Sequence, residues 1–459
     1  MNGVEPAAPA PGPARPERTG PLTWVQQEWL PEQPDDRIAS HEDNLFRELE
    51  TVPLEFGQVR RAVCEVLARH EILRSRVVGL GAEAHQVVDA VDPGCDLVLA
   101  TAPLDGWEEA VAAARATSFR LSLQWPLKLL AGTEAGRVSR IAVVVDHWAA
   151  DGLGILALLD DLTAAVGAAA RGEVWTPVGP AEQPIDLALW ESATPAGAEH
   201  LERSVAYWRQ QFERLRQELG DHGPALPDEP PPGRAPLLFP GCTMTSVRVA
   251  EAAEVVADRL RVPVSAVYLA AFGTAIGHVE QVGTVGAFIL SANRLTPAAL
   301  RSVRNAVRAA PVVLAVAPPG GFAETVASAA AQQLHGLRYA NTDHRLVGAA
   351  AEEVLGGLRD SGAASAIFNF MPETALRGDR LPPLVRDAPL DVVEPMPVRG
   401  TAAVRMFMVT MRQGRVIMTS RWREDTSWRK FAEPMMRHIA ALVLYEADPG
   451  AGPPPVFGG

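Results

Sequence analysis

The sequence contains few cysteines. Only Cys64, Cys95 and Cys242 occur in 459 residues, and they form neither a CxxC pair nor a set with metal-ligand spacing. A small, odd number of cysteines favours a reducing compartment such as the cytoplasm, without a disulfide framework. The composition therefore argues against a zinc-binding module and against a disulfide-stabilised secreted fold, and we expect no bound metal or redox cofactor.

Long apolar runs and positive charge are also scarce. No apolar run approaches the ~20 residues that span a bilayer, and the first residues lack the apolar region of a signal peptide. The 42 Lys and Arg residues are outnumbered by 55 Asp and Glu, which gives a net charge of −13. Because a phosphate backbone attracts basic surfaces, this charge disfavours nucleic acid or an anionic membrane as the main partner. We expect a globular, cytoplasmic protein.

Proline and glycine punctuate the chain. Residues 1–20, rich in Pro and Ala, predict a disordered leader. The stretch 220–241 contains seven prolines and predicts an extended connector. We therefore expect an N-terminal lobe over 21–182 and a C-terminal lobe over 183–447 that includes this connector. Residues 448–459 form the expected tail.

Helical and strand patterns mix within both lobes. Apolar residues at helical spacing predict helices over 58–69 and 201–219, and the continuous apolar run 141–145 predicts a buried strand. The segments 402–411 and 415–422 predict a hairpin. The other expected helices cover 251–261, 264–278, 322–337 and 428–445, and the other expected strands cover 72–78, 243–249, 283–292 and 310–317. Without strict βαβ alternation, this mixture favours an α+β fold.

The segment DHWAADG, residues 146–152, is the most informative for chemistry. A predicted strand delivers His147 to its end, and a turn and a helix follow. An imidazole in this place can accept a proton from an attacking amine or hydroxyl, and the N–H groups at the helix start can stabilise an oxyanion. The pattern alone is weak, because a core histidine followed by a helix cap has the same spacing.

Four segments in order resemble the condensation domains of non-ribosomal peptide synthetases, over about residues 21–445. DHWAADG is similar to the family's HHxxxDG motif, and RHEILR at 69–74 to its RHExLR segment. WVQQEW at 24–29 resembles the opening motif, and IDLALW at 185–190 resembles a DYAxW-like segment. The stretch 271–294 is also similar to part of the family's second lobe.

This resemblance implies two chloramphenicol-acetyltransferase-like lobes in a V-shaped pseudo-dimer with a central tunnel. It implies acyl transfer from a carrier-protein-bound thioester to an amine, which forms an amide in the biosynthesis of non-ribosomal peptides such as antibiotics. The phosphopantetheine arm would arrive on the carrier protein, so no bound cofactor is expected. We expect a monomer that works in trans.

The resemblance also assigns roles to residues of the motif. It makes His147 the active histidine and completes the catalytic motif with Asp151 and Gly152. Asp151 would orient the loop by pairing with Arg74, and Gly152 would allow close backbone approach or supply an N–H near the oxyanion. Asp146 replaces the family's first histidine and would support the loop.

Other candidate positions carry competing explanations. The segment 303–309, VRNAVRA, stands where the family has VGxFVNT. Its Arg304 and Arg308, with the nearby Arg301, would bind an acidic substrate or form a solvated basic helix face, the latter being favoured; Arg308 is the candidate substrate contact among them. Trp148 would line the tunnel or pack in the core, the latter being favoured. Asn369 is a further substrate-contact candidate, whereas Trp24 and Trp29 are expected to be structural.

Two other functions remain open. One is ester formation on a hydroxyl, or acylation of a free small molecule. The other is a catalytically inactive condensation-like domain that recruits a partner. Asp146 and the altered segment 303–309 favour recruitment, whereas the retained His147, Asp151 and Gly152 favour catalysis.

Overall fold

The computed structural model describes residues 16–30, 44–92, 95–220, 237–316, 321–360, 364, 366–372, 388–398, 405–422 and 429–451. The helices are α1 Trp24–Glu28, α2 Phe56–Arg69, α3 Cys95–Val98, α4 Trp107–Arg115, α5 Gly152–Ala170, α6 Pro184–Ala193, α7 Pro195–Leu219, α8 Val247–Leu260, α9 Val264–Glu280, α10 Pro297–Leu300, α11 Phe322–Arg338, α12 His344–Leu355 and α13 Arg429–Ala447. The strands are β1 Pro16–Pro21, β2 Leu45–Glu55, β3 Ser75–Val78, β4 His85–Asp89, β5 Leu99–Pro103, β6 Leu127–Glu134, β7 Arg137–Val145, β8 Leu237–Ser246, β9 Thr284–Ser291, β10 Arg308–Ala315, β11 Ala366–Met371, β12 Ala388–Val398, β13 Arg405–Arg412 and β14 Arg415–Trp422.

These elements form two compact units. The first contains the chain up to Ala198 together with Arg294–Ala306, and the second contains Glu199–Asn293 and most of the chain from Val307. Residues 183–198 and 294–306, which the sequence placed in the C-terminal lobe, thus pack with the first unit. The α+β prediction is confirmed, whereas the V shape and the tunnel stay predictions.

The first unit is built on a four-stranded sheet, β2-β7-β6-β5, beside a three-stranded sheet, β1-β4-β3. Strand β7 pairs antiparallel with both β2 and β6. Its residues Ile141–Val145 are all buried, as the continuous apolar run predicted. Helices α2 and α5 pack their apolar residues into the same core. Strand β7, which leads into the motif, is therefore a central strand with a hydrogen-bonded partner along each edge.

The second unit is built on one seven-stranded sheet, in the order β10-β9-β11-β13-β14-β8-β12. Strands β13 and β14 form the predicted hairpin, and Gln413 and Gly414 at its turn have positive φ angles of 50° and 70°. Two positive φ angles match the right-handed twist of paired strands. Helix α9 is buried continuously from Ser265 to Gly277, and the core around it also takes in residues of α8, α11 and α13.

Several local predictions were wrong. Residues 16–20 are part of β1, not of a disordered leader, because they pair with β4 and Arg18 forms ion pairs with Glu71 and Asp186; residues 1–15 lie outside the described chain. The expected strand 72–78 begins as a 3₁₀ helix at Glu71–Arg74. Residues 237–241 belong to β8, while 221–236 of the expected connector lie outside the described residues.

Two features of the molecule differ from what its composition predicted. Cys64 on α2 is disulfide-bonded, whereas the cysteine count predicted a chain without disulfides. Helix α5 is long and apolar enough to cross a membrane by length and composition, although no such run was expected. More than half of its apolar window is buried within the protein, which is the pattern of a core helix.

The segment 294–306 is tied to the first unit by buried charge. Nη1 of Arg294 lies 2.7 Å from Oδ2 of Asp151, and each side chain is 1% exposed. Arg304 also pairs with Glu182, although the Glu182 side chain is 32% exposed. The predicted partner of Asp151 was therefore wrong: Arg74 donates instead to the carbonyl oxygens of Leu67 and Asp89 and to Glu17. The correct arginine lies 143 residues from Asp151 in sequence.

We expect Arg294→Ala to lower the free energy of unfolding by about 3–5 kcal/mol, since it leaves the buried carboxylate of Asp151 without its cation. Urea denaturation measures the loss. A double-mutant cycle with Asp151→Ala should show strong coupling for Arg294 and no coupling for the matched control Arg74→Ala. Coupling of Asp151 to Arg74 instead would contradict this pairing.

A pair of histidines in the second unit, His438 buried and His278 half-buried, predicts acid sensitivity. Nδ1 of His278 on α9 lies 2.9 Å from Nε2 of His438 on α13. Burial, with a contribution from His278, lowers the pKa of His438 to about 4, and burial also lowers the pKa of His278. As the pH falls below the usual histidine pKa, the unfolded chain takes up protons that the folded chain does not.

Stability should therefore fall from about pH 7 to pH 5, with about 2 kcal/mol of the loss due to His438. The variant His438→Gln should flatten this dependence, as measured by urea denaturation at both pH values. The exposed His335 on α11 offers the control, and His335→Gln should leave the slope unchanged. An unchanged slope in His438→Gln would show that this pair does not govern acid stability.

Candidate active site around His147

The turn after β7 is closed by Asp146. Its backbone carbonyl accepts from Ala149 N–H at 2.9 Å, and its carboxylate Oδ1 accepts from Trp148 N–H at 2.8 Å. Its own N–H donates to the carbonyl of Pro126 at 3.0 Å. The strand ends at Val145, so the turn, and not strand alternation, separates Asp146 from His147. Asp146 is buried and holds the loop backbone in place.

Trp148 anchors the other side of this turn in the core. It is fully buried, and its indole Nε1 donates to the carbonyl oxygen of Gln26 at 3.2 Å. No surface of this side chain is left for a substrate, so the proposed substrate contact is wrong and the favoured core position is correct. Helix α1 thus binds the motif through the carbonyl oxygen of Gln26.

Asp151 joins the loop, α5 and the segment 294–306. As N-cap of α5, its Oδ1 accepts from Gly154 N–H at 2.7 Å. Its Oδ2 accepts from Arg294 and, at 2.8 Å, from Ala306 N–H. Its backbone N–H donates to the carbonyl of Arg304 at 3.2 Å. All of these bonds position other groups, so Asp151 acts as the organiser of the site.

His147 itself is half-buried between two residues that the sequence analysis did not assign to the site. The indole of Trp29 stacks on its imidazole, with ring centroids 4.4 Å apart and planes inclined by 18°. The side-chain nitrogen of Asn305 lies 2.9 Å from the His147 carbonyl oxygen and 3.3 Å from Nδ1 of the ring. Within the described chain, Nε2 of His147 makes no hydrogen bond.

The sequence pattern did not predict that Trp29 and Asn305 contact His147. Trp29 belongs to the opening motif WVQQEW, where a structural role was expected. Asn305 lies in the segment 303–309 that departs from the family pattern, so the pattern gave it no role. Only the long-range bonds between that segment and Asp151 bring Asn305 to the histidine.

The two glycines at the start of α5 are in different surroundings. A Cβ atom on Gly152 would meet no atom within 4 Å, and Gly152 is exposed. A Cβ atom on Gly154 would lie 2.6 Å from the carbonyl oxygen of Arg304. Gly154 is thus required for packing against the segment 294–306. The space before Gly152 is open to a ligand, and its N–H makes no hydrogen bond within the described chain.

Two of the remaining predicted residues, Arg308 and Asn369, belong to the second unit. Arg308 begins β10 in the second unit and is 1% exposed, so the predicted solvated helix face is wrong, and its substrate contact stays a prediction. Burial would raise the pKa of Asp343, but hydrogen bonds from Arg345, helped by the charge of Arg308, lower it. Asn369 lies half-buried on β11 of the second unit, and its substrate contact stays a prediction.

Arg304 also does not form a solvated face. It is buried, and burial lowers the pKa of its guanidinium even though Glu182 opposes that shift. Arg301 donates to the carbonyl of Pro180 and is half-buried. These arginines fasten the segment 294–306 to the first unit. Among the described residues, no three His, Cys, Asp or Glu side chains gather as metal ligands.

Comparison with known proteins agrees with this architecture. No family model matches the chain. It is 32% identical over 187 residues to the isonitrile lipopeptide synthase of Mycobacterium tuberculosis, covering 37% of this chain and 7% of that protein. It is 31% identical over 219 residues to CymA of Salinispora arenicola, a probable non-canonical non-ribosomal peptide synthetase, covering 46% of this chain and 3% of that protein. The chain thus spans less than a tenth of either relative.

Solved structures match over nearly the whole chain. The X-domain from teicoplanin biosynthesis superposes with a TM-score of 0.69 at 18% identity, covering 95% of this chain and 96% of that one. The first condensation domain of the CDA synthetase gives 0.65 at 18% identity, with 96% and 98% covered. The epimerization domain from the third module of tyrocidine synthetase B gives 0.68 at 14% identity, with 94% and 98% covered.

The α+β fold expected from the sequence is therefore confirmed, and His147 lies in the loop between the buried strand β7 and the start of α5. In its fold, this chain is similar to the condensation domains of non-ribosomal peptide synthetases.

Proposed function

We propose that this protein is an acyltransferase that joins a carrier-bound acyl or aminoacyl thioester to an amine, forming an amide in natural-product biosynthesis. The observation that carries the proposal is the half-buried His147 in the loop that leads into α5, a helix that begins at the exposed Gly152. The hydrogen bonds of Asp146 and Asp151 fix the loop backbone while the His147 ring stays accessible, as a catalytic histidine requires.

The chemistry follows from the groups at this point. The amine nitrogen attacks the thioester carbonyl carbon, a C–N bond forms, and the carbonyl electron pair moves to oxygen. Collapse of the tetrahedral intermediate breaks the C–S bond, and the proton lost by the amine ends on the pantetheine sulfur. In this mechanism His147 would contact the reacting atoms, and the N–H of Gly152 at the start of α5 would stabilise the oxyanion.

The partners implied by this reaction are acyl or peptidyl carrier proteins that bring a phosphopantetheine arm as part of the substrate. The protein itself would hold no cofactor and would work as a monomer in the cytoplasm. The relatives in sequence are peptide synthetases or peptide-related synthases, which supports a place in such biosynthesis. Acylation of a hydroxyl or of a free small molecule is the alternative within the same reaction class.

Recruitment without catalysis is the alternative from a different class. The likeness to the teicoplanin X-domain favours it, because that domain was crystallised in complex with OxyB. The intact His147 and the organised loop around Asp151 favour catalysis. Incubating the protein with acylated carrier proteins and free amines, followed by mass spectrometry, separates the two functions. Amide product supports the proposal, whereas binding of a tailoring enzyme with no product from any carrier would support recruitment.

His147→Ala should lower turnover by about 10²–10⁴-fold, the usual cost of losing a group that acts on the proton or charge of the reacting atoms. Its denaturation midpoint should stay close to native, because the ring is half-exposed. Product formation from an acylated carrier is the measurement. Near-native turnover by a folded variant would remove His147 from the mechanism.

Substitution of the two glycines should separate ligand approach from packing. Gly152→Ala should fold normally, since no atom meets the added methyl group, but should lose ~10-fold or more in turnover if the thioester must approach the backbone there. The matched control Gly154→Ala should lower the denaturation midpoint, because the methyl group collides with the Arg304 carbonyl. Full turnover by Gly152→Ala would show that the substrate passes elsewhere.

A further inference from the structure

The orientation of the Asn305 side-chain amide follows from its contact with the backbone carbonyl of His147. Its terminal nitrogen is 2.9 Å from the backbone carbonyl oxygen of His147. An amide oxygen in that place would face another oxygen with no hydrogen between them, which is repulsive. The NH₂ group of Asn305 therefore faces His147, and one of its two hydrogens binds the carbonyl.

The same NH₂ group also lies 3.3 Å from Nδ1 of the His147 ring. An amide nitrogen can only donate, so this contact is favourable when Nδ1 carries a lone pair and unfavourable when Nδ1 carries a hydrogen. In a neutral imidazole the single ring hydrogen must then sit on Nε2.

Asn305 is held firmly enough to impose this choice. It is 4% exposed, and the backbone groups on both sides of it bind Asp151: the Arg304 carbonyl accepts from Asp151 N–H, and Ala306 N–H donates to Oδ2. The stacked indole of Trp29 holds the plane of the imidazole. A ring flip that would exchange Nδ1 for carbon must turn the ring through the space of that indole.

We propose that Asn305 is a positioning residue that keeps neutral His147 as the Nε2–H tautomer, so that His147 meets its substrate as a hydrogen-bond donor. What the donor contacts rests on the proposed acyl transfer; the tautomer does not. At the thioester, Nε2–H would bind the carbonyl oxygen and the oxyanion that forms from it.

This tautomer also selects the nucleophile. Nε2 with its hydrogen in place has no lone pair with which to take a proton from an attacking group. A neutral amine attacks with its own lone pair and can pass its proton to the departing thiolate afterwards. A hydroxyl must lose its proton during attack and gains little from such a histidine. The site is therefore built for amines, and amide formation is favoured over ester formation.

The test is the ring tautomer in solution, measured by two-bond ¹⁵N–¹H correlation spectra of protein labelled with ¹⁵N-histidine at about pH 8, where an ordinary imidazole is neutral. The spectrum of His147→Gln identifies the resonances of His147. We expect a protonated Nε2 and a lone-pair Nδ1 in the native protein. A protonated Nδ1 in the native protein would overturn the proposal.

Asn305→Asp provides the matched variant, because it has the same shape and places an acceptor where the amide donates. We expect it to move the hydrogen to Nδ1. A folded Asn305→Asp protein that keeps the native tautomer would show that Asn305 does not set it. If this variant does not fold, the native spectrum alone still decides whether Nδ1 carries the hydrogen.

Competition between matched amine and alcohol acceptors, with the same acylated carrier protein, tests the consequence. Native protein should form amide in excess of ester, and Asn305→Asp should shift this ratio toward ester by ~10-fold through kcat and not through KM. A native Nε2–H tautomer in a protein that turns over no carrier substrate would refute the proposed function and leave the tautomer assignment standing. An unchanged product ratio despite a reversed tautomer would refute the selection of amines.

Discussion

The site depends on the hydrogen bonds and the ion pair of the buried Asp151 carboxylate. One oxygen caps α5, the other binds Arg294 and Ala306, and the residue is almost completely buried. A buried carboxylate is costly unless charge and hydrogen bonds surround it, and here both are supplied by the segment 294–306 and the helix it caps. The same bonds place Asn305 against His147. One side chain thus sets the start of the helix, the path of a distant segment and the surroundings of the histidine.

Much of the framework could be predicted from local pattern. The run of apolar residues at 141–145 gave the buried strand, and the 3.6-residue spacing gave α2 and α7, because each pattern records which side of an element is buried. Position 147 followed from its place between that strand and α5. The ends of elements were harder, as residues 16–20 show: their strand exists only because β4 offers a partner distant in sequence.

The errors at the site share one cause. Arg74 and Arg294 are both arginines near motif segments, and only tertiary packing decides which of them reaches Asp151. Burial of Arg304 and Arg308 could not be predicted either, because the surrounding carboxylates Glu182 and Asp343 come from other parts of the chain. A motif fixes which residues are neighbours in sequence. It does not fix which residue from another segment completes their hydrogen bonds.

The residues that bind the Asp151 side chain are synthesised long after Asp151 itself. Arg294 follows it by 143 residues, and Ala306 by 155. The ribosome therefore synthesises β7 and the first turn of α5 long before Arg294, the residue that neutralises the buried carboxylate of Asp151. Contacts of such long range slow folding, since the intervening chain must close before they form. The histidine loop is thus a late-assembling part of its own unit, and a nascent chain that stops short of residue 306 carries the motif without its surroundings.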